Sequence, residues 1–547
     1  MPQITRLSFS RYNLSILDCS TFLKNDYLCR SFLILTITIM VKSFKSKGML
    51  AVIATAMFLV SCQNDTIESF QLNEDKVLSK EFLAQTRSSS SLPFLKGADL
   101  SYVNELEDVG VTYTEGGVEK DVYTMMHDYG ANLVRLRLWH NPTWTTYSTL
   151  KDVKKSAKRA KHLGMKILLD FHYSDTWTDP EQNIVPAAWL SVVNDTTALA
   201  DSVYNYTYRI LQSMKASSIV PDLVQIGNET NKNIMVSDNS LLTPINYQRN
   251  VKLFNAGLAA VSDFNAAYNK NVKTVLHVAM NPTDAMNWVT TLKNLNIRDF
   301  DMLGLSYYPQ WQGYTPSDLG TFTAQLLSQY GIQLLVAETG HIWTRKWNDN
   351  CHNLMSNMAP GYPEAPCPQL QKDFLIEVKD AVRNNGGAGV IAWEPAWVSA
   401  NNVTLWGTGS NWENVAFFDF NNELLTHGGI EFFSENNVKV TFRVDMTNAG
   451  TNARGYITGG FTTNDDGNWQ IIPMKQEGTS NIYRFTTYLT QGQSGGYYYL
   501  SDSTWTARET VPVESQGYWN DRLYQIVTTD TIQTISNVWS SSSTISE

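Results

Sequence analysis

The sequence lacks an excess of basic residues. Its 42 lysines and arginines are outnumbered by 52 aspartates and glutamates, which gives a net charge of -10. Nucleic acids and anionic membranes bind basic surfaces, so this balance argues against either as the main partner. With 43% apolar and 17% charged residues, the 547-residue chain is expected to fold, and it can hold a large domain plus a smaller one.

Cysteine is also scarce, with only five residues in the chain. Two of the five precede a signal-like segment, and Cys62 ends that segment. The remaining two, Cys351 and Cys367, fall close together in the chain. In an oxidising compartment we predict that they form a disulfide, with two free thiols as the alternative. A zinc site is poorly supported, because only His352 lies close to this pair.

No clear membrane-spanning segment precedes the folded part. The apolar stretch from Met49 to Val60 is too short to span a bilayer, and three lysines precede it. A span that includes Phe32 to Met40 is the alternative, but the same lysines interrupt it. The stretch ends in Leu59-Val60-Ser61-Cys62, an order that resembles a bacterial lipoprotein signal.

This resemblance implies that Cys62 carries the lipid anchor and that membrane attachment is by lipid alone. We therefore interpret residues 1–39 as an upstream extension, 40–61 as the signal peptide and 62–92 as a flexible, Ser-rich tether. An exported lipoprotein of the bacterial outer membrane or cell surface is the expected localisation.

Two apolar runs stop abruptly at a glutamate, one at Glu229 and the other at Glu338. Such runs are typical of strands buried on both faces, and a carboxylate at their carboxyl ends would lie in the mouth of a parallel barrel. Each glutamate could instead cap the helix that follows. Two facing carboxylates are, however, what glycosidic bond cleavage requires. Because Asn228 could donate to a substrate 2-hydroxyl, we assign Glu229 as general acid/base and Glu338 as nucleophile.

Strand-like and helix-like segments alternate throughout residues 93–433. The predicted strands are Leu95–Leu100, Asn132–Leu138, Lys166–Phe171, Leu223–Ile226, Thr274–Val278, Met302–Ser306, Gln333–Ala337 and Gly389–Trp393. Eight such repeats predict an α/β fold, a (β/α)8 TIM barrel. A doubly wound open sheet is the alternative, but no glycine-rich phosphate loop follows the first strand.

Polar and aromatic residues at these strand ends are the predicted substrate-binding set. Its members are Asp99, Arg137, His172, Asp175, Asn228, His277, Tyr307, Trp393 and Trp397. Within this set we expect Arg137 to point inward and keep the nucleophile ionised, with Arg135 in an external salt bridge. Tyr307 is expected to donate a hydrogen bond to Glu338. Glu394 is a third carboxylate, predicted to be structural or to bind substrate.

Several of these stretches together resemble glycoside hydrolase family 53, the endo-β-1,4-galactanases. The matching stretches are Gly97-Ala98-Asp99, Val134–Trp139, Asp170-Phe171-His172-Tyr173-Ser174-Asp175, Gly227-Asn228-Glu229, Ala337-Glu338-Thr339 and Gly409–Asp419. The resemblance implies endo-acting, retaining hydrolysis of β-1,4-galactosidic bonds in galactan and type I arabinogalactan, the side chains of pectin. It also implies the same roles for Glu229 and Glu338.

Two other functions stay open from the sequence. One is another retaining barrel endo-β-glycanase, such as a mannanase or a glucanase, and the other is a non-catalytic glycan-binding lipoprotein. No cofactor is required by the predicted chemistry, and no metal ligands are assigned. Some members of the family bind calcium in the loop after the seventh strand, but here that loop, Trp347–Asn353, holds fewer acids.

The pattern changes to short alternating segments in residues 434–540. Val438–Met446, Ile482–Leu489 and Leu523–Thr528 alternate with period two and are separated by glycine and asparagine. This predicts a small all-β sandwich domain. It resembles starch-binding-like modules, so a glycan-binding module and a structural spacer are both open. Nothing in the chain requires more than a monomer.

Overall fold

The structure is a computed structural model that describes residues 92–404 and 407–545. The predicted signal peptide, the lipid site at Cys62 and the tether up to residue 91 lie outside these ranges. Within them, no helix has the length and apolarity needed to cross a membrane.

Eight parallel strands close into a barrel. They are β1 (Leu95–Asp99), β4 (Leu133–Leu138), β5 (Lys166–Phe171), β6 (Leu223–Ile226), β7 (Lys273–Val278), β8 (Met302–Tyr307), β9 (Gln333–Thr339) and β10 (Gly389–Ala392). Their order around the barrel is β1-β10-β9-β8-β7-β6-β5-β4. The predicted (β/α)8 barrel is confirmed, and every predicted strand end lies within two residues of the observed one.

Helices surround the barrel on its outside. They are α1 (Val103–Asp108), α2 (Val122–Asp128), α3 (Leu150–His162), α4 (Thr196–Ala216), α5 (Tyr247–Tyr268), α6 (Pro282–Asn294), α7 (Pro309–Gln312), α8 (Pro316–Tyr330) and α9 (Pro368–Asn384). The last four begin with proline, whose missing N–H costs nothing in a first helical turn. Short two-stranded pairs lie outside the barrel: β2 (Thr114–Glu115) with β3 (Val118–Glu119), and β11 (Val403–Thr404) with β12 (Gly407–Thr408).

The inside of the barrel is apolar at one end and polar at the other. Leucine, valine, isoleucine and methionine side chains from all eight strands, among them Leu133 and Leu335, form one buried cluster. Farther along β4, the residues that share the face of Leu133 are Arg135 and Arg137, because side chains two apart in a strand point the same way. The carboxyl ends of the strands therefore carry the charged groups, as in other barrels of this type.

An extra residue interrupts the pairing of β9 with its neighbour β8. Leu305 pairs with Val336, but the next residue of β8, Ser306, pairs with Glu338, so Ala337 has no partner. This is a β-bulge, which changes the face on which the following side chains lie. Its consequence is that Glu338 points into the barrel mouth although Val336 packs outward against the helices.

Two four-stranded sheets form the C-terminal sandwich. The strands are β13 (Asn437–Asp445), β14 (Tyr456–Gly459), β15 (Ile472–Pro473), β16 (Lys475–Gln476), β17 (Ile482–Thr490), β18 (Ser494–Leu500), β19 (Arg522–Gln525) and β20 (Ile532–Val538). Their orders are β16-β17-β13-β20 and β15-β14-β18-β19, and all pairs are antiparallel except β13 with β20. Val438, Val440, Phe442 and Val444 alternate into its core, fully buried. The predicted all-β sandwich is thus confirmed.

The sandwich packs against helix α9 through buried polar contacts. The Gln369 amide donates to the carbonyl of Tyr488 at 2.7 Å and to Asp373 Oδ1 at 2.8 Å. The backbone N–H of Tyr488 donates to the same Asp373 oxygen at 2.8 Å. Lys372, also fully buried, pairs with Glu431, which accepts from the hydroxyl of Thr490 in β17. Barrel and sandwich therefore share a specific interface.

Cys351 and Cys367 are free, so the predicted disulfide is wrong. Cys367 immediately precedes helix α9 and is fully buried beside Leu370 in an apolar cluster. Cys351 lies elsewhere in the loop, where its N–H donates to Asp349. Burial raises the pKa of Cys351 and raises that of Cys367 to about 12, so both are expected to remain thiols.

Candidate active site

Two glutamates meet in the mouth of the barrel. Glu229 follows strand β6 in a left-handed turn, with φ of +86° at Gly227 and +45° at Glu229. Glu338 lies in β9 beyond the bulge. A carboxylate oxygen of each lies within 4.8 Å of the other. Retaining glycosidases keep the two carboxyl groups about 5–5.5 Å apart and inverting ones about 6.5–9.5 Å, and the short distance between these oxygens fits the retaining class.

Glu229 is held by a chain of hydrogen bonds through strands β7 and β8. The hydroxyl of Ser306 donates to Glu229 Oε1 at 2.5 Å, and Nε2 of His277 lies 3.0 Å from that hydroxyl. The backbone N–H of Glu229 donates to His277 Nδ1 at 3.2 Å, which places the ring proton on Nε2. Burial together with the charge of Glu338 raises the pKa of Glu229 to about 8, as a general acid requires.

Glu338 faces a cation and a phenol. Nη1 of Arg135 lies 2.8 Å from Glu338 Oε1, and the hydroxyl of Tyr308 donates to Oε2 at 3.4 Å. Burial raises the pKa of Glu338 to about 7, while Arg135 opposes the rise. The contact with Arg135 favours the ionised form of Glu338, which suits a nucleophile.

Arg135 is the central cation of the site. Besides Glu338, its guanidinium contacts Asp99 at 2.9 Å, Asp170 at 2.8 Å and Asn228 Oδ1 at 2.7 Å. The prediction that Arg135 makes an external salt bridge is wrong. The alternation of β4 could have corrected it, because Arg135 and Arg137 are two residues apart and share the inner face.

Arg137 does not contact Glu229 or Glu338, so its predicted role is also wrong. Its guanidinium lies 3.4 Å from Glu394 and 4.0 Å from the ring centre of Trp177. Tyr102 and Trp139 enclose it on other sides. Glu394 is fully buried, and burial raises its pKa well above the ordinary range. The Arg137–Glu394 pair therefore stabilises the barrel mouth, and the buried Glu394 carboxyl group is not placed to act as a third catalytic acid.

The tyrosine beside Glu338 is Tyr308 and not the predicted Tyr307. Leu303, Leu305 and Tyr307 point outward, and the Tyr307 hydroxyl donates to the carbonyl of Tyr314. Tyr308 lies on the inner side with Ser306, next to Glu338. The apolar residues at 303 and 305 mark the outward face, and this parity was the signal that could have identified Tyr308.

The remaining polar residues of the predicted set serve mainly to hold others. Asp99 binds Arg135 and accepts from the hydroxyl of Ser101, and Asn228 donates to the carbonyl of Thr178 at 2.7 Å. His172 lies 3.2 Å from Asp170 and accepts from the N–H of Thr178. Asp175 is partly exposed and accepts from the N–H groups of Asn141 and Ala187, so it fixes two loops. His277 is fully buried behind Glu229.

The two tryptophans after β10 differ in their access to the mouth. Trp393 is 8% exposed and lies in edge contact with Trp177 and Trp412. Trp397 is fully buried and stacks on Tyr102, with ring centres 4.1 Å apart. The predicted contact of Trp397 with substrate is therefore wrong, because no ring atom reaches the surface. The Trp397 ring instead packs against the rings of Tyr102 and Trp393.

Metal binding has little support from the residues present. Among the described residues, the single group of three or more ligating side chains is Glu229, His277 and Glu338, and both nitrogens of His277 already have partners. The loop after β9 does not fit calcium. Its Asp349 accepts from two backbone N–H groups, and Glu413 accepts from Asn348 and Ser399. Hydrogen bonds hold this loop where an acidic calcium site would be needed.

Comparison with known proteins gives a consistent family. The model of glycosyl hydrolase family 53 matches residues 95–431. An arabinogalactan endo-beta-1,4-galactanase of Cellvibrio japonicus is 46% identical over 340 residues, 62% of this chain and 89% of that protein. An endo-beta-1,4-galactanase of Bacillus subtilis is 33% identical over 61% of this chain and 84% of its own. The solved GH53 catalytic domain of Ignisphaera aggregans is 31% identical with a TM-score of 0.56, covering 63% of this chain and 97% of its own. The chain belongs to glycosyl hydrolase family 53.

Proposed function

We propose that this protein is an arabinogalactan endo-β-1,4-galactanase that cleaves galactan with retention of configuration. The observation that carries the proposal is the separation of the Glu229 and Glu338 carboxylates, whose oxygens lie within 4.8 Å. Galactan as the substrate rests on the family and on its relatives, one of which is 46% identical.

The first half of the reaction uses both glutamates at once. An ionised oxygen of Glu338 attacks the anomeric carbon while Glu229 gives its proton to the glycosidic oxygen, so the leaving chain departs with a new hydroxyl. Arg135 and Tyr308 fix the attacking carboxylate from two sides. The product of this half is a galactosyl ester of Glu338.

The second half reverses the roles of the acid and the leaving group. Glu229, now ionised, takes a proton from a water that attacks the same anomeric carbon. The ester bond breaks, Glu338 leaves as a carboxylate, and Glu229 is protonated again. Ser306 and His277 keep the Glu229 carboxylate in one orientation through both steps.

Substrate and stereochemistry can be tested together. The protein should release reducing ends from unbranched β-1,4-galactan and not from mannan or cellulose, and proton NMR should show the β-anomer first. The Glu338→Gln variant should lose turnover and keep oligosaccharide binding. Cleavage of mannan or glucan in preference would favour the alternative endo-glycanase, and binding without any turnover would favour a glycan-binding protein.

We also propose that the sandwich contacts the polymer. Tyr518 and Trp519 are 88% and 71% exposed and form an edge contact at 4.8 Å, and exposed rings can stack on sugar faces. In an inactive Glu338→Gln background, alanine at both positions should reduce retention on insoluble galactan. Unchanged retention would favour a spacer role.

Export and assembly are proposed from the sequence. We expect lipidation at Cys62, which palmitate labelling of the wild type and of Cys62→Ala would test, and protease accessibility of whole cells would give the orientation. We expect a monomer with no required cofactor. Full activity after treatment with a chelator, and a monomer mass by light scattering, are the matching measurements.

A further inference from the structure

The C-terminal sandwich reaches a loop at the mouth of the barrel through one of its own loops. On the sandwich side, residues 460–471 connect β14 with β15 and form the sandwich loop. On the barrel side, residues 340–367 connect β9 with α9 and form the β9 loop. Asp465 of the sandwich loop accepts a hydrogen bond from the hydroxyl of Thr344 at 2.7 Å, and Nζ of Lys346 lies 3.2 Å from the same carboxylate.

Further contacts attach the β9 loop to the sandwich near both of its ends. Close to the start of the loop, Lys346 also pairs with Asp466 at 2.5 Å. At its end, the Gln470 amide donates to the carbonyl of Pro366 at 2.8 Å. Only 14% of the Asp465 side chain is exposed, so its contacts are partly shielded from water. The sandwich thus holds the β9 loop at two separate points.

The sandwich loop is itself a rigid turn. The side-chain oxygen of Asn464 accepts from the N–H of Asp466 at 3.0 Å and from the N–H of Asn468 at 2.9 Å. Thr463 and Trp469 form an antiparallel bridge that closes the turn. Because the turn is already ordered, its contacts with the barrel cost little further conformational entropy.

The β9 loop also contacts the groups around the nucleophile. It directly follows the strand that carries Glu338. In the middle of the loop, the N–H groups of Ser356 and Asn357 both donate to the amide oxygen of Gln310, at 3.0 and 2.8 Å. Gln310 lies in helix α7, two residues after Tyr308, whose hydroxyl donates to Glu338. The position of the β9 loop is therefore linked to the position of this tyrosine.

Apolar packing connects the same three parts of the molecule. One buried cluster contains Tyr308 and Trp393 from the mouth, Met355 from the β9 loop and Phe461 from the sandwich loop. Protein interiors are close-packed, so a shift of one member displaces its neighbours. The β9 loop therefore lies between the sandwich and the mouth, in contact with both.

The family match does not include the domain that makes these contacts. It ends at residue 431, before the sandwich begins at Asn437. The β9 loop does not fit calcium either, because its acids are occupied by hydrogen bonds. Asp465 and its neighbours in the sandwich are thus available to fix a loop that no metal fixes here.

We propose that Asp465 is a positioning residue for the active site, and that it holds the β9 loop in the conformation that places Tyr308 and Trp393 for substrate binding. The proposal rests on the proposed galactanase activity, and it makes the sandwich part of the catalytic unit. Without this carboxylate, the hydroxyl of Thr344 loses its acceptor, and the β9 loop occupies the productive conformation less often. Glu229 and Glu338 keep their own partners, so the loss falls on substrate binding.

The test compares the full-length wild type with Asp465→Ala on galactan and on β-1,4-galactotetraose. We expect kcat/KM to fall about fivefold on both substrates, mainly through KM, with both limbs of the pH profile in place. The tetraose is included because a module that merely binds polymer affects the polymer alone. The Tm should change by less than about 2 °C, because partly exposed ion pairs contribute little to stability. Hydrogen exchange should become faster in residues 344–366 and stay unchanged in the barrel strands.

Two further variants separate this contact from general effects on the sandwich. Asp465→Asn keeps an acceptor oxygen for the hydroxyl of Thr344 and should recover most of the lost activity. Asp502→Ala removes another sandwich carboxylate, which accepts from the N–H and the hydroxyl of Thr504 in its own turn. This control should leave both the kinetics and the exchange of the β9 loop unchanged.

The possible outcomes distinguish the inference from the proposed function. An unchanged KM in Asp465→Ala, or a loss confined to the polymer, would overturn the positioning role. A loss that comes with a large drop in Tm and with faster exchange throughout the barrel would overturn it as well, because the contact would then serve folding alone. A wild type that is inert on galactan would instead overturn the proposed function.

Discussion

Nη1 of Arg135 lies 2.8 Å from Oε1 of Glu338, and both side chains are buried at the mouth of the barrel. The same guanidinium binds Asp99 and Asp170, so one cation serves three carboxylates. Because a buried carboxylate is costly to ionise, the contact with Arg135 is what makes an anionic nucleophile accessible near neutral pH.

Replacing Arg135 with lysine should therefore damage catalysis more than folding. Lysine keeps the charge but cannot reach three carboxylates at once, so the pKa of Glu338 should rise. Since Glu338 must be ionised to attack, the acidic limb of the kcat/KM profile should move to higher pH. We expect kcat/KM to fall by about 100-fold or more, measured on galactan across pH. Arg137→Lys is the matched control on the same strand, and its acidic limb should stay in place. A shift in both variants would contradict the assignment.

Removal of the Ser306 hydroxyl should move the alkaline limb of the profile of kcat/KM against pH. That hydroxyl donates to Glu229 and favours its ionised form, so Ser306→Ala should raise the pKa of Glu229. Glu229 must be protonated in the first step, so the alkaline limb of kcat/KM should extend to higher pH. We also expect kcat to fall several-fold, since Nε2 of His277 loses its acceptor. Ser156→Ala, another buried serine, should change stability without changing the pH profile.

The interface between α9 and the sandwich should make stability depend on pH. Burial raises the pKa of Asp373 from 3.8 to about 7. The folded state then binds this proton more tightly than the unfolded state, so stability falls as pH rises from about 4 through about 7. Asp373→Asn should match the wild type near pH 4 and exceed it at pH 8, by up to about 4 kcal/mol in unfolding free energy.

Thermal unfolding at several pH values would measure this difference. Asp318→Asn provides a control of opposite sign, because hydrogen bonds from Thr315 lower the pKa of Asp318. That substitution should reduce stability above the ordinary aspartate pKa and have little effect below it. A Tm difference for Asp373→Asn that does not vary with pH would contradict the role given to this carboxyl.

Reducing agents should not change the stability of the barrel. Cys351 and Cys367 are free and buried, whereas a disulfide closing a loop of this size would contribute about 3 kcal/mol. The Tm of the purified protein should be the same with and without dithiothreitol. Alkylation under denaturing, non-reducing conditions should label both residues. A Tm that drops with reductant would indicate that the protein forms the bond after all.

The sequence was sufficient to predict the strands and the two glutamates. A fully buried parallel strand appears in the sequence as a short apolar run. A charged residue that directly follows such a run, as Glu229 does, marks the end of the strand. The choices between Arg135 and Arg137 and between Tyr307 and Tyr308 were wrong because they depend on which side chains point into the barrel. Side chains alternate between the two faces of a strand. Identifying the outward face of each strand from its apolar residues would have corrected both choices.

Other features could not be read from the chain. Whether Trp397 is buried depends on how loops from distant strands pack over one another, and nearby sequence does not encode this. The free state of Cys351 and Cys367 likewise depends on the path of the loop between them. Closeness in sequence suggested a bond, but each thiol is enclosed by different neighbours.

The unpaired Ala337 sets the direction in which the side chain of Glu338 points. A strand with regular pairing through this point would turn residue 338 toward the surrounding helices and leave the pore with an acid but no partner for it. Regular pairing of Ala337 with Ser306 would remove no reactive atom and would still silence the enzyme, by reversing the side from which the Glu338 carboxyl group projects. Whether this one alanine is paired thus decides whether two acids on different strands can act on a single bond.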